Sequence, residues 1–192
     1  MLPITLCPEA VPVALVGIGD KTVHRLAQLD EGGFTVTVFS DAPSPDLALA
    51  AGSRLQRRLP NATDLGAQRL LLVADLDEGR AADLALLARR LGLLVNVEDR
   101  TALCDFHLPA IVRRGDLVVA ISTGGHSPRL AGRLRRAAER LIHRDWGARL
   151  ARLGLLRSEL RAQGKGPTEI SRAVDAVIDR EGWLGRPATE AP

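Results

Sequence analysis

Along the first half of the chain, short apolar runs alternate with stretches whose apolar residues recur every three or four positions. Val13-Ala-Leu-Val16, Leu70-Leu-Leu-Val-Ala74 and Leu93-Leu-Val-Asn-Val97 are almost wholly apolar, which predicts strands buried on both faces. Phe34-Thr-Val-Thr-Val-Phe39 is β-branched and aromatic and reads as a second strand, with an irregular one over 54–59. Between these runs, Lys21–Leu29 sets Val23, Leu26 and Ala27 on one helical face. Asp46–Ala51 is a short helix and Gly79–Leu91 an arginine-flanked amphipathic one. Repeated βα alternation predicts an α/β fold with a parallel sheet covered on both faces.

The pattern changes after Asp105. Phe106–Val112 and Leu117–Ser122 are strand-like but separated only by Arg113-Arg-Gly115 and its neighbour, too short for a parallel crossover, so a hairpin is expected. Pro128–Ile142 follows as a long arginine-rich helix, with Ser127 as its cap and proline at its first position. Helices over 149–163 and 169–181 flank the turn Gly164-Lys-Gly-Pro167, with Thr168 expected to cap the second. The tail from Gly185 is expected to fray. The chain thus divides into residues 1–112, a sheet domain; 113–146, a hairpin-and-helix region; and 147–192, a small helical domain.

Composition narrows the chemistry. Hydrophobic residues make up 46% and charged residues 26%, ordinary globular values. Tyrosine is absent, so no tyrosine acid or base exists and no Tyr-x-x-x-Lys reductase pair is available. Of the 26 basic residues only Lys21 and Lys165 are lysines; the other 24 are arginines, whose forks suit carboxylates and phosphates. A net charge of +3 without aromatic–basic interleaving does not call for nucleic acid. Cys7 and Cys104 form no CxxC and indicate a reducing compartment, hence the cytoplasm. The apolar run from Val11 to Ile18 is broken by Pro12 and Gly17 and has no basic leader, so neither a signal peptide nor a membrane span is expected.

Gly17-Ile18-Gly19-Asp20-Lys21 closes the first strand and opens the first helix. Glycines there allow a tight turn and let a pyrophosphate approach the helix N-terminus, where amides and dipole favour anions. Thr22 stands where the dinucleotide fingerprint has its third glycine. Asp41 follows Gly19 by 22 residues, near the end of the second strand, in place to accept ribose hydroxyls. A plain glycine turn would account for the first loop alone, and a turn aspartate before Pro43 for the second feature. Glu98 and Asp99 end a buried strand, at the sheet edge where α/β folds bind ligands. Ser122-Thr-Gly-Gly-His-Ser-Pro128 is a second glycine- and hydroxyl-rich loop entering a helix.

The order GxGD, NVxD, DFxxPA and RRGDLxVAISTGGxSPxLAxxLR resembles the precorrin-2 dehydrogenase and sirohydrochlorin ferrochelatase family. The match is dense from Asn96 to Arg136 and thin beyond Trp146. The resemblance implies a Rossmann-like NAD-binding domain, a dimerisation segment and a small helical domain in an interlocked homodimer. It implies NAD-dependent oxidation of precorrin-2 to sirohydrochlorin, with Fe2+ insertion to give siroheme in many members. Asp99 occupies the position of the family's main catalytic aspartate, proposed to take a proton as hydride leaves. Gly17, Ile18, Gly19, Asp20, Lys21, Asp41 and Asp75 then hold the cofactor. Asn96, Ser122, Thr123, Gly124, Gly125, Ser127 and Arg129 meet the substrate, a polyacid.

Three residues depart from the family's habit. Thr22 replaces a small residue, Asp41 stands where proline is common, and Asp75 stands where threonine is frequent. A carboxylate at 75 would repel a pyrophosphate unless it points to a ribose or to solvent. A non-catalytic paralogue that holds NAD or a tetrapyrrole is the other reading. His107 and His126 stand alone, without HxxxH or a Cys/His cluster, so no fixed metal site is expected; a tetrapyrrole supplies its own four nitrogens.

Overall fold

A computed structural model describes residues 2–184; the tail expected to fray lies outside them. Contacts divide the chain into two compact units, residues 1–108 and 109–192.

In the first unit five parallel strands lie in the order β3-β2-β1-β4-β5, with β1 Val13–Val16, β2 Val36–Phe39, β3 Leu55–Gln56, β4 Leu70–Val73 and β5 Leu94–Val97. Period-2 alternation sends the residues of β1 to opposite faces. Val13 and Leu15 pack against Leu26 and Leu29 of α1 (Asp20–Glu31) and Leu47 of α2 (Pro45–Ala51). Ala14 and Val16 pack against Ala81, Leu84 and Ala85 of α4 (Glu78–Arg90) and Leu65 of α3 (Ala62–Gly66). Each fully buried Val or Leu contributes about 1.5–3 kcal/mol relative to exposure, so this two-faced core carries the unit.

Helix α3 was not expected from the sequence, because five residues carry no apolar period. Its start is fixed locally instead: Asn61 Oδ1 accepts the Asp64 N–H (3.0 Å) and Asp64 Oδ2 accepts the Asn61 N–H (2.8 Å). Strand β2 pairs only from Val36, two residues later than expected.

The second unit opens with an antiparallel hairpin, β6 Ala110–Arg114 and β7 Leu117–Ile121, in register Arg114 with Leu117. Gly115, at φ +59°, takes the first central position of the two-residue turn, where a positive φ matches the strands' twist. The first strand of the hairpin begins at Ala110, not Phe106, because residues 104–106 are engaged along the edge of β5. Helices α5 Pro128–Leu141, α6 Trp146–Ala162 and α7 Pro167–Arg180 follow. Helix α6 begins three residues earlier than expected. Trp146 stacks edge-on to Trp183 with centroids 6.2 Å apart, and the Arg149 guanidinium lies over both rings. Thr168 does not cap α7: Pro167 already occupies the first helical position, and Glu169 Oε2 reaches back to accept the Gly166 N–H (3.3 Å). No helix among the described residues is long and apolar enough to cross a membrane.

Candidate functional site

The chain leaves β1 toward β2 and β3 on one side, then returns to β4 and β5 on the other. The order reverses between β1 and β4, and ligands of open α/β sheets bind at the carboxyl ends beside such a reversal. Gly17 follows β1, its N–H donating to Phe39 O (3.1 Å). A Cβ on Gly17 would lie 2.0 Å from Thr22 Oγ1 and 2.3 Å from Ala74 O, so only glycine fits. Thr22 is the neighbour that excludes any larger residue there. Its side chain is fully buried in the space that Gly17 leaves, where a third glycine would otherwise let helix and strand approach. Gly19 is the residue before α1, and a Cβ there would lie 3.2 Å from Asp75 Oδ2.

Asp75 adopts φ +56°, rare for a residue with a side chain, just after β4. Its Oδ2 accepts the Thr22 N–H (2.9 Å) and the Thr22 hydroxyl (3.1 Å). The carboxylate thus points at the start of α1. It caps the helix in place of the side chain that Gly19 lacks, where the helix dipole favours a negative charge. A helix leaves its first N–H groups without helical partners. Asp75 takes that of Thr22, while among the described residues those of Asp20 and Lys21 have none. A bare glycine turn beside free first-turn amides fits a dinucleotide's pyrophosphate, with Asp75 as one adjacent negative charge.

Asp99 lies beyond the end of β5, also left-handed, at φ +62°. Lys21 Nζ donates to its Oδ2 at 2.5 Å, joining the glycine loop to the carboxylate at the sheet edge. Both side chains stay exposed, 52% for Lys21 and 73% for Asp99, so the pair is open to a ligand. The hydrogen bond to Asp99 raises the Lys21 ammonium above its usual pKa. Arg25 lies 3.2 Å from Glu98 in a second, more enclosed ion pair.

Asn96 is buried, and its amide donates to Phe106 O (2.8 Å). Asp105 Oδ2 accepts the Val95 N–H (2.9 Å) while its own N–H donates to Val95 O (2.8 Å). Cys104 Sγ sits on the N–H and C=O of Val97. Residues 104–106 therefore strap the free edge of β5 and hold the loop that carries Asp99. His107 is half-buried; among the described residues no three His, Cys, Asp or Glu side chains gather as a metal site.

Asp41 follows β2 and is exposed. Its Oδ2 accepts from Arg80 Nη1 (2.8 Å), and Arg80 Nε donates to Asp77 Oδ2 (2.5 Å). Asp77 in turn caps α4 by accepting the Arg80 N–H at 3.0 Å. Arg80 escaped the sequence reading. The only linear signal was Asp77-x-x-Arg80 at a helix start; its bond to Asp41 spans a crossover that the sequence does not display. Beside Asp41, the hydroxyl of Ser40 is buried with no hydrogen-bond partner.

In the second unit, Ser122–Ser127 links β7 to α5. Gly124 and Gly125 have φ of +64° and +81°, which turn the chain back on itself. Thr123 Oγ1 donates to Ser127 O (3.0 Å) and accepts the Ser127 N–H (3.2 Å), and Ser122 Oγ accepts the Gly124 N–H (3.2 Å). Ser127 Oγ accepts the Leu130 N–H (3.2 Å), the cap expected from the sequence. Arg129, at the second position of α5, is exposed.

Residues 4–110 match the model of a family described as putative NAD(P)-binding, and residues 114–140 that of the sirohaem biosynthesis protein, central. A siroheme synthase of Methylococcus capsulatus is 41% identical over 155 residues, which cover 79% of this chain and 32% of that protein. One of Nitrosococcus oceani is 34% identical over 167 residues, covering 85% and 35%. The chain spans about a third of the length of these curated relatives. Among solved structures, SirC, a precorrin-2 dehydrogenase, superposes with a TM-score of 0.79 at 20% identity, over 97% of this chain and 93% of that one. The Rossmann-like architecture is therefore shared.

Proposed function

The chain belongs to the putative NAD(P)-binding family, and on that premise we propose that it oxidises precorrin-2 to sirohydrochlorin in the cytoplasm, using NAD. The observation that carries this reading is the contact between Lys21 of the glycine loop and Asp99 of the NVxD motif. It puts the expected base beside the expected cofactor loop. The names of the relatives, siroheme synthase and precorrin-2 dehydrogenase, supply the substrate.

The oxidation removes one hydride and one proton from the tetrapyrrole. Bound NAD+ supplies the hydride acceptor. Gly17, Ile18 and Gly19 leave the backbone open to a pyrophosphate, and Asp20 and Lys21 offer first-turn amides. Asp41 receives the ribose, and Asp75 braces the helix start. Asp99 takes the proton, its carboxylate held in reach of Lys21, and Asn96 keeps its loop in place. Ser122, Thr123, Gly124, Gly125, Ser127 and Arg129 offer amides, hydroxyls and a guanidinium to the substrate's carboxylates. Fe2+ insertion is the companion activity in this reading, because metallation also requires pyrrole protons to leave. A homodimer through residues 113–146 fits the exposed apolar side chains there, with Val118 36%, Leu130 49%, Leu134 45% and Leu141 81% exposed. In this reading the helical region expected over 147–192 follows it, with α6 and α7 as its described part.

The test is an anaerobic assay of purified protein with precorrin-2 and NAD+, following NADH and the sirohydrochlorin spectrum, then adding Fe2+. Turnover supports the dehydrogenase. NAD or tetrapyrrole binding without turnover replaces it with a carrier.

A further inference from the structure

The ends of β2 and the start of α4 bring one guanidinium between two carboxylates. Arg80 gives Nη1 to Asp41 (2.8 Å) and Nε to Asp77 (2.5 Å). The bond from Asp77 raises the Arg80 pKa above its usual value, and the backbone and guanidinium donors of Arg80 hold the Asp77 carboxyl below its own. The cluster therefore carries one net negative charge, and it is reachable: the three side chains are 38%, 41% and 59% exposed for Arg80, Asp41 and Asp77. Asp41 Oδ1 takes no part in these bonds.

Two opposite devices serve this place in dinucleotide folds. A carboxylate at the end of the second strand accepts ribose hydroxyls and selects NAD; an arginine nearby accommodates the 2′-phosphate of NADP. This chain holds both, joined to each other. With Arg80 bound on two sides by carboxylates, an arriving phosphate meets the net negative charge, while a ribose meets a free carboxylate oxygen.

We propose that Asp41 and Arg80 together select the cofactor: Asp41 binds the adenosine ribose of NAD and at the same time masks Arg80, a latent clamp for the 2′-phosphate of NADP. The inference rests on the dinucleotide reading of the first unit and adds the means of choosing between its two forms. Asp41 is then both the ligand for one cofactor and the lock against the other. Removing its carboxylate leaves one guanidinium against Asp77 alone and frees Nη1 for phosphate.

The experiment is calorimetric titration of NAD+ and NADP+ into the full chain and into Asp41→Asn, Asp41→Glu, Arg80→Gln and the Asp41→Asn/Arg80→Gln double variant, each checked for folding by its melting curve. The wild type should favour NAD+. Asp41→Asn should tighten NADP+ by roughly tenfold, the worth of one charge-assisted contact, and weaken NAD+. Asp41→Glu should keep the wild-type preference. The NADP+ gain should vanish in the double variant. Opposite changes for the two cofactors cannot come from general damage to the fold. Equal weakening of both cofactors in Asp41→Asn, or a gain that survives loss of Arg80, overturns the selection device and leaves the dinucleotide reading standing. Wild type and all variants binding neither cofactor would overturn that reading, and the inference with it.

Discussion

Two loops in this chain have the same outline, a strand running into glycines and then a helix, yet they are held in different ways. At Gly17–Thr22 the helix start is capped from another element: Asp75, after β4, reaches the Thr22 N–H, and Thr22 fills the space under Gly17. At Ser122–Ser127 every bond is local. Thr123 closes on Ser127, and Ser127 caps its own helix. The first loop is part of the core and exists only when β1, α1 and β4 are assembled. The second carries its own instructions. Under the proposed function, the loop fixed by the core would keep its amides in one geometry for a cofactor, and the locally closed loop would adjust to a large and flexible polyacid.

The largest expected effect comes from breaking the first loop. Gly17→Ala drives a methyl into Thr22 Oγ1 and the Ala74 carbonyl, and should destabilise the protein by roughly 3 kcal/mol in urea unfolding. A loss below about 0.5 kcal/mol would mean that this loop is as pliant as the other. Asp75→Asn should cost about 1 kcal/mol by weakening the non-local cap, while NAD+ binding tightens because one negative charge leaves the pyrophosphate's neighbourhood. Calorimetry and melting would then move in opposite directions; a joint loss of both would show that Asp75 serves the cofactor directly. Ser127→Ala should cost a similar or smaller amount, about 0.5–1 kcal/mol, with NAD+ affinity unchanged. A fall in NAD+ affinity would erase the division between the loops.

The smallest effect concerns the third helix start, α3, which is local like the second loop but uses a carboxylate. The Arg58 hydrogen bond and the Asn61 N–H lower the Asp64 pKa from 3.8 to about 2. A carboxyl with a depressed folded pKa stabilises above its unfolded value and loses that contribution as pH falls through its folded value. The Asp64→Asn variant should therefore be less stable than wild type at pH 5, with the gap closing between pH 4 and pH 2. A gap that is constant with pH would assign α3 to packing alone.

The same contrast explains what was legible. Apolar runs revealed β1, β4 and β5, and Ser127-Pro128 announced α5, because those signals are written in neighbouring residues. The hairpin was visible in the spacing around Gly115. Helix α3 left one signal, the reciprocal Asn61 and Asp64, which a search for capping pairs would have found. The partner of Asp75 could not be read, because 53 residues separate it from Thr22 and the contact depends on two crossovers. Lys21 and Asp99 were each singled out, but their contact was not, for the same reason. Arg80 was missed outright: among 24 arginines nothing in the sequence marks the one that a folded sheet sets beside Asp41.

The proposed chemistry is tested most directly by the turnover of Asp99→Ala against wild type in the anaerobic precorrin-2 assay, with NAD+ affinity measured on the same samples. The role of Asp99 as base predicts a fall in kcat of about 100- to 10,000-fold, the usual worth of a positioned base, with NAD+ affinity changed no more than a few-fold. Turnover within a few-fold of wild type would contradict it and remove Asp99 from the chemistry.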